Sequence, residues 1–306
     1  MSLRSAPGLV LAYHRVTETP RDPFGLCVRP DRFATHLNVL ARLADVVALS
    51  EIRKTRRPGR RRIAITFDDG YADNLEVAAP LLVESGFPAT FFLVTEGLDP
   101  DAEFWWDRLE HVVLDAPEGS GPIEVVLDGR TLRLDTRSAL GRERALKALN
   151  RRLRLLRPER IDAVLLELAE CLGGWKGACE HHRRLAPSRA RSLLAAGEIG
   201  AHTRTHPLLA ALDDGSAREE IAGSRGDAAR IAGVAVRHFA YPFGMEGAFD
   251  RRIARLVREA GFDAAFINVR GLVRRRTDRF LIPRVAVGDV GGEVLAENVE
   301  RWFEGR

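Results

Sequence analysis

Short apolar runs alternate with amphipathic stretches along most of this chain, the pattern of repeated strand–helix units. Residues 9–13 (LVLAY) read as a buried strand ending at His14, and 63–67 (IAITF) as another ending at Asp68-Asp69-Gly70. A third run covers 90–94. Ser188 is placed to cap a helix that Gly197 stops, and a strand around Ile199 then leads into His202. Residues 239–241 form a short strand before Pro242 and Gly244. Phe249, Ile253, Leu256, Val257 and Ala260 share one helical face, with Gly261 as the stop. Strands follow at 264–267 and 282–287, and a last helix carries Val294, Leu295, Val299 and Trp302.

The stretch 98–187 breaks this rhythm. Apolar–polar alternation at 123–125 and 132–134 flanks Asp128-Gly129, a hairpin signal. Leu146, Leu149, Leu153 and Leu156 then recur at helical spacing. So do Ile161, Val164, Leu165, Leu168 and Leu172 after Pro158, with Gly173-Gly174 ending the run. A hairpin plus a helical pair reads as a cap-like insertion within one domain spanning 1–306. No repeat or low-complexity tract is visible.

Composition narrows the class. The chain has 306 residues, 45% of them hydrophobic, enough for one large α/β domain with a sizeable core. Forty-seven basic residues nearly balance forty-three acidic ones, for a net charge of +4. That surplus lacks the basic stripe of a nucleic-acid binder. The short runs Arg60-Arg61-Arg62 and Arg274-Arg275-Arg276 read as solvated loops or faces. The three cysteines, Cys27, Cys171 and Cys179, form no CxxC pair, so no disulfide framework or cysteine-rich zinc site is signalled. No run reaches the ~18 apolar residues of a membrane helix, and residues 8–13 are too short for a signal h-region. The expectation is a cytoplasmic protein, or one peripheral on the inner membrane face and in contact with glycan-assembly enzymes.

Candidate chemistry collects where strands end: His14, Asp68-Asp69, His202/His206 and the loop after Tyr241. In a parallel barrel the strand C-termini converge on one face. Histidines four apart share one face of a helix or helical turn, which suits two imidazoles on one zinc-like ion at ~2.0–2.1 Å. A hydrolytic site needs a third ligand and a base beside the attacking water. Asp68-Asp69 offers two carboxylates, only one of which easily faces the ion. Read alone, each motif has a plainer account: Asp-Asp-Gly as a turn or cap, HxxxH as surface groups. His36, His111, His181, His182 and His238 carry no motif and read as structural. Phe104-Trp105-Trp106 reads either as a sugar-stacking platform or as packing.

Residues 65–71 (ITFDDGY) resemble the first motif of the polysaccharide deacetylases, carbohydrate esterase family four. Residues 202–207 (HTRTHP) resemble the second, and 239–244 (FAYPFG) a variant of the third. The resemblance runs from about residue 8 to 288, in order and at fitting spacing. It implies a distorted (β/α) barrel of about seven strands. It implies a divalent ion, zinc first among candidates, held by Asp69, His202 and His206, with Asp68 as catalytic base. It implies a carbohydrate substrate losing acetyl from an N-acetylated sugar of a polysaccharide, oligosaccharide or lipid-linked glycan. In the third motif, Tyr241, Pro242, Phe243 and Gly244 would line the substrate and oxyanion region; Phe243 replaces the usual Tyr, and its N–H suffices for that role. The Arg that often opens this motif is Ala240 here, and Arg284 is the candidate replacement. The late Leu-x-His that supplies a general acid is missing. Ala12-Tyr13-His14-Arg15 is similar to the start of the poly-N-acetylglucosamine deacetylase branch, where that strand is permuted to the front, so His14 is the candidate acid. The rival readings are an amide hydrolase for another N-acyl group, such as a formyl sugar or cyclic imide, and a catalytically silent glycan-binding module.

Overall fold

The computed structural model describes residues 7–54, 59–97, 102–117, 120–127, 129–175 and 177–305. Its residues form two compact units, Met1–Asp99 with Leu185–Arg306, and Pro100–Arg184.

The first unit is a nearly closed parallel sheet wrapped in helices. Along the sheet the strands run Ile282–Pro283, Ala264–Ile267, His238–Ala240, Gly197–Ala201, Ala89–Leu93, Arg62–Phe67, Gly8–Tyr13 and Val285–Ala286. The first and last of these are separated only by Arg284. One stretch of chain, 282–286, thus pairs with both ends of the sheet and closes it into a distorted barrel of seven staves. A short side strand, Asp45–Val46, pairs with Arg62–Phe67. The strands Gly8–Tyr13, Arg62–Phe67 and Ala89–Leu93 are buried at every position, so they read as continuous apolar runs. Parallel strands covered on both faces require that.

Side-chain alternation sorts these runs into two layers. Leu9, Leu11, Tyr13, Ile63, Ile65, Phe67, Phe91 and Leu93 pack outward with residues of the surrounding helices, such as Phe33, Leu37 and Leu40 of Pro30–Leu43. Val10, Ala64, Phe92, Ala240, Phe266 and Ile282 form a separate inner cluster. The strand residues of this cluster are all even-numbered. Extending the same parity toward the strand C-termini gives His14, Asp68, His202 and Arg284. The pleat alone therefore aims these four side chains at one end of the barrel interior. The inner layer is tight: a Cβ on Gly200 would lie 2.4 Å from the Phe92 ring.

Several local expectations change. Ser188 caps nothing: a four-residue helix, Pro187–Ala190, starts before it and tightens into a 3₁₀ stretch, Arg191–Ala195. Arg62 lies inside a buried strand and Arg61 pairs with Glu300, so that basic run is not a solvated face. Val294 is exposed, and the final helix, Gly292–Phe303, buries Leu295, Val299 and Phe303 instead.

The second unit holds an antiparallel hairpin, Ile123–Leu127 with Arg130–Leu134; Asp128 of the expected turn lies outside the described residues. Helix Trp105–Leu114 packs against both Ala139–Leu153 and Pro158–Leu172. Phe104 and Trp106 are buried and stacked with centroids 4.6 Å apart, which makes them packing residues of this unit. No helix among the described residues is long and apolar enough to cross a membrane.

Candidate metal-hydrolase centre

Asp68 and Asp69 follow directly on Phe67, the last residue of their strand. The Asp68 N–H donates to the Tyr13 carbonyl, and the Val94 N–H donates to the Asp69 carbonyl, so backbone bonds to both neighbouring strands fix this turn. His202 follows Ala201 in the same way, its N–H donating to the Leu93 carbonyl. His202 to His206 is not a helical turn. It is an irregular loop in which Thr203 and His206 hold φ of 65° and 62°. The Thr203 hydroxyl accepts from the His206 N–H at 3.0 Å and stabilises the bend. The helix expected from the four-residue spacing gives way because that loop must turn both rings back toward the strand end.

Among the described residues, the non-glycine positions with positive φ are Asp69, Thr203, His206 and Phe243. All four fall in the three motifs. Left-handed backbone at such residues costs of order 1 kcal/mol or more each and persists where the surroundings enforce it, commonly at functional sites. Gly244, at φ 58°, shares the third bend; a Cβ there would meet the Asn268 nitrogen at 2.5 Å.

The result is a compact donor set. His202 Nε2 and His206 Nε2 each lie 3.6 Å from Asp69 Oδ1, and the two rings are 4.9 Å apart. The His202 Nδ1–H donates to the Ala240 carbonyl at 2.8 Å, leaving Nε2 as the lone-pair nitrogen facing Asp69. Burial lowers both imidazoles, His202 to about 4 and His206 well below its ordinary value, so both are neutral at pH 7. Two neutral imidazoles and a carboxylate are what a zinc-class ion requires. The donor set and its spacing fit such an ion.

Asp68 sits beside this set and is held by Arg284. The guanidinium Nη1 and Nη2 donate to the two carboxylate oxygens, each at 2.6 Å, and Nη1 also reaches the Thr66 hydroxyl at 3.2 Å. Burial pushes the Asp68 carboxyl up, but Arg284, His202 and His14 together outweigh it and hold the group well below the usual carboxylate range. Arg284 is fully buried, lying over the Phe92 ring at 5.4 Å. It enters from strand 282–286 and lies against Phe92, which shares the inner cluster with Ala240.

His14 is part-buried at the end of its strand, and its carbonyl accepts from Asn74 Nδ2 at 2.8 Å. Asn74 opens a π-helical turn, Asn74–Ala78, placed just after the first motif. Burial lowers His14, while the charge of Asp68 raises it and that of Arg284 lowers it, which puts all three in one electrostatic neighbourhood. The third motif contributes backbone more than side chains. The Tyr241 side chain turns into the outer layer and its hydroxyl donates to the Phe280 carbonyl. The Phe243 ring packs edge-on to His206 at 4.8 Å. His36 and His238 are structural: His36 bonds Tyr13 and the Val290 carbonyl, and His238 pairs with Glu198. A cavity of about 500 Å³ opens at the opposite, N-terminal end of the strands, lined by Asp45, Arg60 and Arg62, away from this chemistry.

The polysaccharide deacetylase family profile matches residues 55–115 and 149–265, more than half of the chain. The chain belongs to the polysaccharide deacetylase family. Over 94 residues this family member is 29% identical to YxkH of Bacillus subtilis (strain 168), covering 29% of this chain and 32% of YxkH; the alignment spans about a third of that relative. Solved structures share the fold at low identity. Streptococcus pyogenes deacetylase PplD, in complex with acetate, superposes with a TM-score of 0.60 at 14% identity, covering 95% of this chain and 97% of PplD. IcaB from Ammonifex degensii gives 0.59 at 17% identity, covering 98% of each chain.

Proposed function

We propose that this deacetylase is a metal-dependent hydrolase that removes acetyl from an N-acetylated sugar of a glycan. The observation that carries this reading is the convergence of Asp69, His202 and His206 donors beside a carboxylate, Asp68, that Arg284 keeps ionised. When bound, a divalent ion there polarises the acyl carbonyl and brings the pKa of water from 15.7 toward roughly 7, which lets so weak a base as Asp68 accept a proton.

The chain's own residues do the rest. Asp69 Oδ1 and the Nε2 atoms of His202 and His206 hold the ion. Asp68 takes the proton as water attacks the acetyl carbon. The Phe243 N–H, on its left-handed bend, donates to the oxygen that gains charge. His14 delivers a proton to the departing sugar nitrogen, because an amide anion is too poor a leaving group to depart unprotonated. Arg284 touches neither substrate nor ion in this scheme; it positions Asp68 and fixes its charge.

The test combines metal analysis of purified protein with acetate release from N-acetylated glycans, oligosaccharides and glycolipids, with formylated sugars and cyclic imides alongside. Acetate release that chelation abolishes and zinc restores is expected. Acetate release unaffected by exhaustive chelation overturns the metal assignment. Turnover of formyl or imide substrates alone overturns the substrate assignment.

A further inference from the structure

We propose that Glu103, His111 and His182 form a second metal site, for a zinc-class divalent ion, that clasps the two ends of the Pro100–Arg184 unit. Three donor atoms converge there. His111 Nε2 lies 2.9 Å from His182 Nδ1 and 3.3 Å from Glu103 Oε1, and His182 Nδ1 lies 3.6 Å from that same oxygen. Ligand bonds of 2.0–2.1 Å in tetrahedral geometry set neighbouring donors roughly 3.3–3.4 Å apart. The three edges bracket that value. The longest equals the 3.6 Å His–carboxylate spacing around Asp69 in the barrel.

The surrounding groups orient these donors as outer partners of a metal site do. Asp115 Oδ2 accepts from His111 Nδ1 at 2.9 Å, one helical turn along Trp105–Leu114, which leaves Nε2 as the inward nitrogen. Glu103 Oε1 accepts from the Cys179 N–H at 2.7 Å, and Oε2 accepts from Trp175 Nε1 at 3.3 Å. Glu103 and His182 are buried, and His111 faces a cleft of about 200 Å³ lined also by Asp115, Trp175 and Cys179. That cleft gives an ion an entry path and room for water as a fourth ligand. Without an ion, the two ring nitrogens and the carboxylate oxygen must share protons in one hydrogen-bonded cluster.

The ligand order gives the site its consequence. Glu103 comes at the start of the unit, His111 on its first helix, and His182 in the 3₁₀ turn Glu180–His182 at its end. An ion binding all three closes a long loop in the chain, and binding free energy of that kind is folding free energy. The site's three donors are different residues from those of the barrel site, and the proposal does not depend on what those do.

The experiment uses the full chain stripped of metal and titrated with zinc. Wild type is expected to take up two equivalents, His202→Ala/His206→Ala one, and the same protein with Glu103→Gln and His111→Gln added none. Zinc is expected to raise the Tm of His202→Ala/His206→Ala by several degrees and to leave the quadruple variant unmoved. Zinc anomalous diffraction from His202→Ala/His206→Ala crystals, which needs no change at the proposed site, should show a peak between the three donors. No peak at saturating zinc overturns the proposal. So does unchanged zinc uptake in the quadruple variant when circular dichroism shows it folded.

Discussion

Arg284 and Asp68, 216 residues apart in sequence, meet through two 2.6 Å hydrogen bonds with both side chains almost wholly excluded from water. Arg284 stands in the stretch that closes the barrel, so the bond that fixes the candidate base also spans the sheet's seam. Removing one partner of a buried pair strands the other charge, at about 3–5 kcal/mol. Arg284→Met is expected to lose about that much in chemical denaturation and to lower kcat/KM by roughly 10²-fold through misplacement of Asp68. Asp68 is a carboxylate whose folded pKa is depressed, so its contribution is present above the unfolded value near 3.9 and is lost as pH falls toward the folded one. Without Arg284, burial raises that pKa, and the acid limb of the kcat/KM profile should move to higher pH. An unshifted limb in a folded variant would show that Arg284 does not set the charge of Asp68.

Arg284 lies over Phe92, which shares its inner cluster with the small residue Ala240. Supplying the guanidinium from the other strand should therefore work. Ala240→Arg combined with Arg284→Ala is expected to recover a measurable part of the activity lost in Arg284→Ala. Ala240→Arg alone should be destabilising, because two guanidinium groups would share one carboxylate. Thermal melts of the three variants check the order.

Asp68→Asn keeps shape and removes the base. Activity is expected to fall by roughly 10²–10⁴, with zinc content unchanged because the donors sit on Asp69, His202 and His206. Wild-type turnover by this variant would end the base assignment.

Gly200 faces the inner layer, where a methyl group would meet Phe92 at 2.4 Å. Gly200→Ala should cost about 1–3 kcal/mol by overpacking. Adding Phe92→Leu should return part of that loss, and a double-mutant cycle by urea denaturation measures it.

Burial holds His14, His36, His202 and His206 below their ordinary value of 6.5. In chelated protein the unfolded chain therefore binds protons that the folded one refuses. Stability should fall as pH drops below about 6.5, with the His202 contribution levelling off near 4. His36→Gln, which removes a ring bonded to Tyr13 and the Val290 carbonyl and belonging to neither donor group, should flatten the slope of denaturation free energy against pH in that window.

The sequence by itself determined the barrel's staves and the residues at their ends. Parallel strands buried on both faces must be written as apolar runs; which face of each run points inward was decided by the closed sheet. The sequence also carried the three motifs, because those residues lie within a few positions of one another. The backbone of His202–His206 was not legible: a four-residue spacing suits a helix, and only the packed neighbours enforce left-handed bends at Thr203 and His206. Arg284 was a candidate replacement for the missing motif arginine with no local sign of its partner, until barrel closure brought it against Asp68. Glu103, His111 and His182 gave no motif at all, since their spacing fits no short ligand pattern. Pairings between residues close in sequence leave a local trace, whereas pairings across 71 or 216 residues exist only once the chain has closed on itself.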